Sequence, residues 1–178
     1  WIGEPATIYP NQSREWQVEL KSPDERYLSG HPLIITVPYS DANGFSFSNI
    51  QIFGQKREDE LRLEAISHRL AKGHEFRVSG HLTNLTESAQ EITVRLLAPD
   101  EFEVSPPLYS SVLETTSTAD FSLKGKQLIE GSSYVVYLLV SWIEEGSFGY
   151  VWQPVVVRID TPKSGRSWMY AGALGAFG

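Results

Sequence analysis

The sequence has 178 residues, of which 41% are hydrophobic and 21% charged, a composition typical of a globular protein with a real core. Its net charge of −7 argues against a nucleic acid partner, because a grip on phosphates needs an excess of basic side chains. There are no cysteines, which excludes disulfides, thiolate metal sites and cysteine nucleophiles.

The first third of the chain predicts β-strands. Residues 16–20 alternate between apolar and polar side chains, and residues 33–37 and 45–53 flank a turn that contains Asn43-Gly44. Asn-Gly is a strong hairpin signal because both residues tolerate positive φ. Residues 1–58 are therefore predicted as N-terminal strands, either an extension of the main domain or a partial second sandwich.

The middle of the chain holds one ambiguous segment followed by two clear strands. Residues 58–73 have high helix propensity, yet their apolar side chains also alternate. Residues 73–83 and 92–96 alternate strictly, as half-buried strands do, and the polar residues 84–89 between them predict a hairpin loop.

The strongest apolar stretch lies near the end, at residues 134–143, and is followed by a turn and a second strand at 150–159. Both faces of the first of these strands are apolar, which favours a central position buried on two sides. Pro154 interrupts the second strand, which predicts a bulge or an edge. About ten short strands separated by turns are typical of an antiparallel sandwich.

Two stretches carry a family resemblance. The segment LRLEAISHRLAKGHEFRVSGHLTNLT (residues 61–86), followed by the strand at 92–96, resembles the opening of bacterial immunoglobulin-like domains of the CARDB, NEW3 and FxLYD kind, and APDEFEVSP (residues 98–106) is similar to a later stretch of theirs. The resemblance covers roughly residues 60–160. It implies an immunoglobulin-like β-sandwich over 59–161, a strand for the ambiguous segment, and no catalytic residues to transfer. Such domains are commonly extracytoplasmic spacers, adhesion modules or partner-binding units, often on membrane-anchored chains.

The sequence contains no recognised catalytic or metal-binding motif. The histidines lack the short one-face spacing of a metal site and are predicted as solvated surface residues: His31, His68, His74 and His81. Two adjacent acid pairs, Asp100/Glu101 and Glu144/Glu145, could do acid–base work in a sugar cleft, but acids in turns are more often solvated. The sequence therefore predicts no enzyme, no metal and no cofactor.

Aromatic side chains crowd into the 134–152 hairpin. Core packing accounts for most of them, but an exposed aromatic set on a sandwich face could anchor a protein partner or stack sugar rings. Phe148, in a loop between Gly146 and Gly149, is predicted to be the most accessible. The partner-binding candidates are Trp142, Phe148, Tyr150 and Trp152.

Two segments fit the acceptor pattern for N-glycosylation, at Asn11 and Asn84. Asn84 begins the predicted hairpin loop, where a glycan could fit. Two matches are close to what chance delivers in a chain of this length.

The last eleven residues, 168–178, contain no charge. A spanning helix needs about 20 residues, so this run is too short to cross a bilayer as it stands. Its aromatic start followed by small residues is typical of the first half of a crossing, and residues 162–178 are predicted as a linker and the start of a transmembrane helix. The anchor candidates are Trp168, Met169, Tyr170, Leu174 and Phe177.

Taken together, these patterns predict an all-β, antiparallel, immunoglobulin-like sandwich held as a single-pass protein on the extracytoplasmic (periplasmic) side of a membrane. Its predicted role is non-enzymatic, as an accessory or structural subunit that touches other subunits of a membrane complex and the lipid bilayer; energy-transducing assemblies are one example of such a host. The alternative is a carbohydrate-binding or adhesion module that uses exposed aromatics of the 134–152 hairpin. A hydrolase with a carboxylate pair is a third hypothesis.

Overall fold

A computed structural model describes residues 6–9, 12, 15, 31–44, 46–70, 74–126, 128–144 and 146–160. Ten strands run through these residues, and the described part of the chain contains no helix. The strands are β1 (Leu33–Ser40), β2 (Ser46–Phe53), β3 (Leu61–Arg69), β4 (Glu75–Asn84), β5 (Gln90–Leu97), β6 (Phe102–Ser105), β7 (Tyr109–Leu113), β8 (Thr116–Gly125), β9 (Ser133–Glu144) and β10 (Ser147–Arg158).

Eight of the strands form two four-stranded antiparallel sheets. Sheet I has the order β3-β4-β8-β6 and sheet II the order β10-β9-β5-β7. The alternation seen in the sequence sends one set of side chains between the sheets, where they form a single hydrophobic core. Strand residues such as Val78, Val94 and Val140 are fully buried there. The predicted all-β, antiparallel sandwich architecture is thus confirmed.

Strands β1 and β2 form a separate two-stranded hairpin. Its turn is built as the Asn-Gly signal predicts. Gly44 has a φ of 82° and its amide donates to the Asp41 carbonyl over 3.1 Å, while the Asn43 amide donates to the Asp41 carboxylate. A two-stranded hairpin is only marginally stable alone in water, so this one depends on what it packs against.

The hairpin lies against the outer face of sheet II, the face turned away from the core. β2 contacts β9, and Gly54 directly after β2 lies so close to the Tyr150 hydroxyl that a Cβ there would be 1.9 Å from it. Ile50 and Ile52 of β2 are buried although they lie outside the main core. The middle of sheet II is therefore covered on both sides.

One pair of sheet edges is joined by side chains. The Ala65 amide of β3 donates to Oε1 of Gln153 over 2.8 Å, and the Ser67 hydroxyl donates to the Val156 carbonyl over 3.0 Å. Arg69 at the end of β3 forms an ion pair with Asp160 beyond β10. These contacts bring the edge of sheet I against the edge of sheet II and close the sandwich on that side.

The ambiguous segment is a strand, β3, so its helical interpretation is wrong and the alternating one is confirmed. Tertiary context overrides helix propensity here, because β3 pairs with β4 along its whole length. Pro154 lies in an edge strand as predicted, and β10 runs through it without a break.

The central position of β9 is also confirmed, but burial of its second face is limited to its middle. Leu139 is 7% exposed, whereas Val135 and Ile143 near the ends are exposed.

Three strands between residues 102 and 125, β6 to β8, were not delineated by the sequence patterns. Among the described residues, no helix is long and apolar enough to span a membrane. The predicted strand at 16–20 and the anchor candidates, Trp168, Met169, Tyr170, Leu174 and Phe177, lie outside the described residues.

Candidate functional site

The outer face of sheet I is polar. Cross-strand neighbours on it satisfy one another: Ser79 donates to Asp120, and His81 shares a hydrogen bond of 3.2 Å with Thr118. Its large apolar exception among the described residues is Ile66, which is 45% exposed. A face of this composition is suited to contact with water.

The outer face of sheet II has the opposite character. Its exposed large apolar side chains are aliphatic, on β7, β9 and β10, and the charged residues at outward positions of its strands are Glu91 and Arg95 of β5 and Arg158 at the end of β10. The exposed aliphatic residues are Val112, Val135, Ile143 and Val156. Clustered exposed apolar side chains of this kind mark interaction surfaces in soluble domains.

A shallow depression of about 530 Å³ lies at one end of this face. Val112 and Ile143 stand on its rim at 58% and 68% exposure, and hydroxyl side chains from three neighbouring strands lie between them. We call it the outer-face depression and define it by Thr93, Ser110, Val112, Ser141, Ile143 and Phe148.

Two of the four predicted partner-binding rings are buried. Trp142 is 2% exposed and belongs to the main core, where its indole nitrogen donates to a Glu60 carboxylate oxygen over 3.0 Å. Tyr150 is buried on the other side of the sheet, against Gly54, the residue directly after the β1–β2 hairpin. Burial raises the pKa of the Tyr150 phenol, and a hydrogen bond with the Gln55 backbone acts in the opposite direction. Neither ring offers an open plane to a partner, because packing uses both.

The other two rings are half-buried. Phe148 stacks on His31 with a centroid distance of 4.2 Å and an interplanar angle of 10°, so it is not the free ring that its loop position predicts. Trp152 makes an edge contact with Tyr137, and the Lys56 ammonium lies 4.1 Å from the centre of its ring. Phe148 is the one predicted partner-binding residue that lines the outer-face depression with its outward-facing side chain.

The acid pairs behave differently from each other. Asp100 and Glu101 both line a groove of about 920 Å³ beneath the turn end of the β1–β2 hairpin. Glu101 is buried and accepts hydrogen bonds from the Ser48 amide and hydroxyl, while the same hydroxyl accepts from the Asp100 amide. Glu144 accepts a hydrogen bond of 2.9 Å from Gln90, and Glu145 lies outside the described residues.

The histidines are exposed, as predicted: His31, His68, His74 and His81. No group of three or more potential metal ligands occurs in the described ranges.

Asn84 is not available in the way its glycosylation pattern suggests. Its amide nitrogen donates to the carbonyls of Ser88, Leu113 and Glu114, at 2.7 to 3.2 Å. Its amide oxygen accepts from the backbone and hydroxyl of Thr86. The side chain therefore clamps the β4–β5 loop to the β7–β8 turn, and a glycan on its nitrogen would displace those bonds.

Sequence reasoning missed Val112 and Ile143, the most exposed apolar residues of the depression. The apolar stretch at 134–143 predicts a strand buried on both faces, which hides Ile143. No sequence pattern marks the strand that carries Val112. The alternation of β9 does place Ile143 on the face opposite Trp142, but only the sheet order shows that β7 lies beside β5 on that face.

Neither a protein-family model nor a curated protein sequence matches the chain. Solved structures similar to it include the E. coli chaperone DraB, with a TM-score of 0.37 and 16% identity over 56% of this chain and 54% of that one. Another is the cupredoxin domain of amoB from Nitrosocaldus yellowstonii, with a TM-score of 0.32 and 13% identity over 55% of this chain and 65% of that one. The chain thus spans less than two thirds of either of these structures.

Proposed function

We propose that this protein is a non-enzymatic subunit that contacts another protein through the outer face of sheet II. The observation that carries the proposal is the difference between the two outer faces. The outward side chains of sheet I are polar, and two pairs of them hydrogen-bond across the strands, whereas sheet II leaves Val112 and Ile143 in water around a depression lined with hydroxyl groups. Exposed apolar side chains that gather on one face of a domain mark an interaction surface.

The host of this subunit is proposed from the sequence. The uncharged run at 168–178 supports a C-terminal membrane anchor, and the resemblance to bacterial immunoglobulin-like domains supports an extracytoplasmic position in a membrane complex.

The immunoglobulin-like type of the sandwich belongs to the same proposal. The neighbours β3-β4-β8 and β10-β9-β5 correspond in order to strands A-B-E and G-F-C of an immunoglobulin domain. The edge strands depart from that pattern. β6 lies beside β8 and β7 lies beside β5, and β6 comes before β7 along the chain. The core of the arrangement therefore supports the type, and its edges are a variation.

The carbohydrate-binding alternative has less support. A sugar platform needs open aromatic planes, but Trp142 and Tyr150 are buried and Phe148 is stacked on His31. The aliphatic residues that are exposed instead are suited to a protein surface.

The test places a charge on each sheet's outer face. The variants Val112→Asp and Ile143→Asp are made in the full-length protein in its native membrane, with Ile66→Asp on the outer face of sheet I as the matched control. Affinity purification from detergent extracts measures the partner recovered per unit of bait. Thermal unfolding confirms that each variant folds.

We expect Val112→Asp and Ile143→Asp each to recover at least tenfold less partner than the wild type does. Ile66→Asp is expected to recover as much partner as the wild type. Equal recovery from all three variants, or isolation of the wild type as a lone species, would contradict the proposal. Quenching of tryptophan fluorescence by a glycan would instead support the carbohydrate-binding alternative.

A further inference from the structure

We propose that two copies of this chain pair through strand β1, edge to edge and antiparallel. Among the described residues β1 pairs only with β2, and no described strand pairs with its other edge. The strand is eight residues long and every one of them is exposed. A long exposed edge strand with apolar side chains is a template for another strand.

The other sheet edges are less accessible. β2 also lacks a second partner strand among the described residues, but its Ser48, Ile50 and Ile52 are buried. β3 and β10 are joined by the Gln153 and Ser67 side chains, and β6 and β7 are only four and five residues long. Short edge strands and joined edges both resist strand addition. Within the described part of the chain, β1 is therefore the edge best suited to pairing.

Two prolines define which part of β1 can pair. Pro32 and Pro38 bracket the five residues Leu33–Val37, and proline has no amide to donate to a new strand. Ile35 lies midway between the two prolines. An antiparallel pair centred on Ile35 keeps both prolines outside the paired segment, because Pro32 then lies opposite Pro38 of the second copy.

On one face of the hairpin, the same register pairs only apolar residues. It places Ile35 opposite its own counterpart and Leu33 opposite Val37, all on the face of the hairpin that also carries Phe53. Apolar and β-branched cross-strand pairs stabilise a sheet, and a five-residue segment that matches itself suits a two-fold axis.

Charge does not oppose a second copy at this strand. The chain carries −7, so two copies repel each other over most of their surfaces. From Leu33 to Phe53 the only charged residue is Asp41, in the turn at the far end of the hairpin. The hairpin is thus a surface on which two like-charged chains can meet without placing like charges opposite each other.

Sedimentation equilibrium of the 178-residue chain tests the proposal with a pair of charge variants. We expect the wild type to form a reversible dimer, and Ile35→Lys and Ile35→Glu each to weaken it at least tenfold by setting like charges across the axis. An equimolar mixture of the two variants restores the dimer, because a lysine then lies opposite a glutamate. Ile66→Lys on sheet I is the matched control and leaves the dimer unchanged.

A chain without cysteines permits a second measurement. Ile35→Cys, treated with a short bis-maleimide, yields a covalent dimer, whereas Ile66→Cys does not. A monomeric wild type, a mixture that does not restore the dimer, or equal cross-linking of both cysteine variants would overturn the proposal. Partner recovery by Val112→Asp and Ile143→Asp is measured at a different surface, so the two proposals fail separately.

Discussion

The pairing of single residues, Gly149 with Trp142, explains how the Trp142 indole is buried in the most aromatic hairpin of the chain. The two residues are cross-strand partners on the core face of sheet II. A Cβ on Gly149 would lie 2.4 Å from Cε2 of Trp142. Glycine at this position lets the ring lie flat across the strand and reach Glu60.

We predict that Gly149→Ala lowers the free energy of unfolding by about 1–3 kcal/mol, because the added methyl group overpacks the indole. Trp142→Phe removes the atoms that clash, so the double variant loses less than the sum of the two single variants. Urea unfolding followed by circular dichroism measures all four proteins. Additive losses within about 0.5 kcal/mol would show that the contact does not exist.

At the scale of elements, the β1–β2 hairpin is fastened at its turn end by one buried carboxylate. Glu101 accepts two hydrogen bonds from Ser48, one from the amide and one from the hydroxyl. Hydrogen bonds to a charged group contribute more than those to a neutral one. In the described residues the hairpin has few other polar contacts with the sandwich. This carboxylate therefore controls how often the hairpin detaches from the outer face of sheet II.

We predict that Glu101→Gln speeds hydrogen exchange roughly tenfold at the Asn49 and Gln51 amides, since about 1.4 kcal/mol of local stability corresponds to a factor of ten. These two amides alternate with that of Ser48, which points to Glu101, and therefore face β1. Amides in the core strands β4 and β9 keep their wild-type rates. Glu103→Gln, an exposed glutamate two residues along the chain, is the control. If both glutamine variants change the β2 amides equally, Glu101 does not fasten the hairpin.

At the scale of the whole molecule, stability depends on how two separate sheets are joined. The interior is apolar and its packing is non-directional, but the contact between the edges of β3 and β10 is made by specific side chains. Gln153 supplies the acceptor for the Ala65 amide, which no other strand pairs on that side. That hydrogen bond therefore contributes to the cohesion of the sheets, and its loss affects the whole fold.

We predict that Gln153→Ala lowers the free energy of global unfolding by about 1–2 kcal/mol, because a partly buried amide loses its acceptor. Gln153→Glu keeps an acceptor oxygen and loses less. Gln51→Ala, at an exposed position of β2, stays within about 0.5 kcal/mol of the wild type. Urea unfolding monitored in parallel by circular dichroism and tryptophan fluorescence distinguishes a global effect from a local one. If the unfolding curve of Gln153→Ala overlays that of the wild type, the hydrogen bond from Ala65 to Gln153 does not contribute to the cohesion of the sheets.

Local patterns alone predicted much of the fold. Alternation with period two identified β4, β5, β9 and β10, and the Asn43-Gly44 turn identified the hairpin, because both signals act between residues that are close in sequence. Local patterns do not predict β6 and β7, because both strands are short and β7 begins shortly after two prolines. β8 does carry a period-two pattern, because Ala119, Phe121 and Leu123 alternate with polar residues.

Local sequence patterns were sufficient to predict antiparallel strands, an aromatic hairpin near the core and solvated histidines. They did not predict which strands are neighbours, that β1–β2 covers the middle of sheet II, or that Val112 and Ile143 lie on one surface. Side-chain alternation records which face of a strand is apolar, whereas the choice of neighbour depends on packing between segments far apart in the chain.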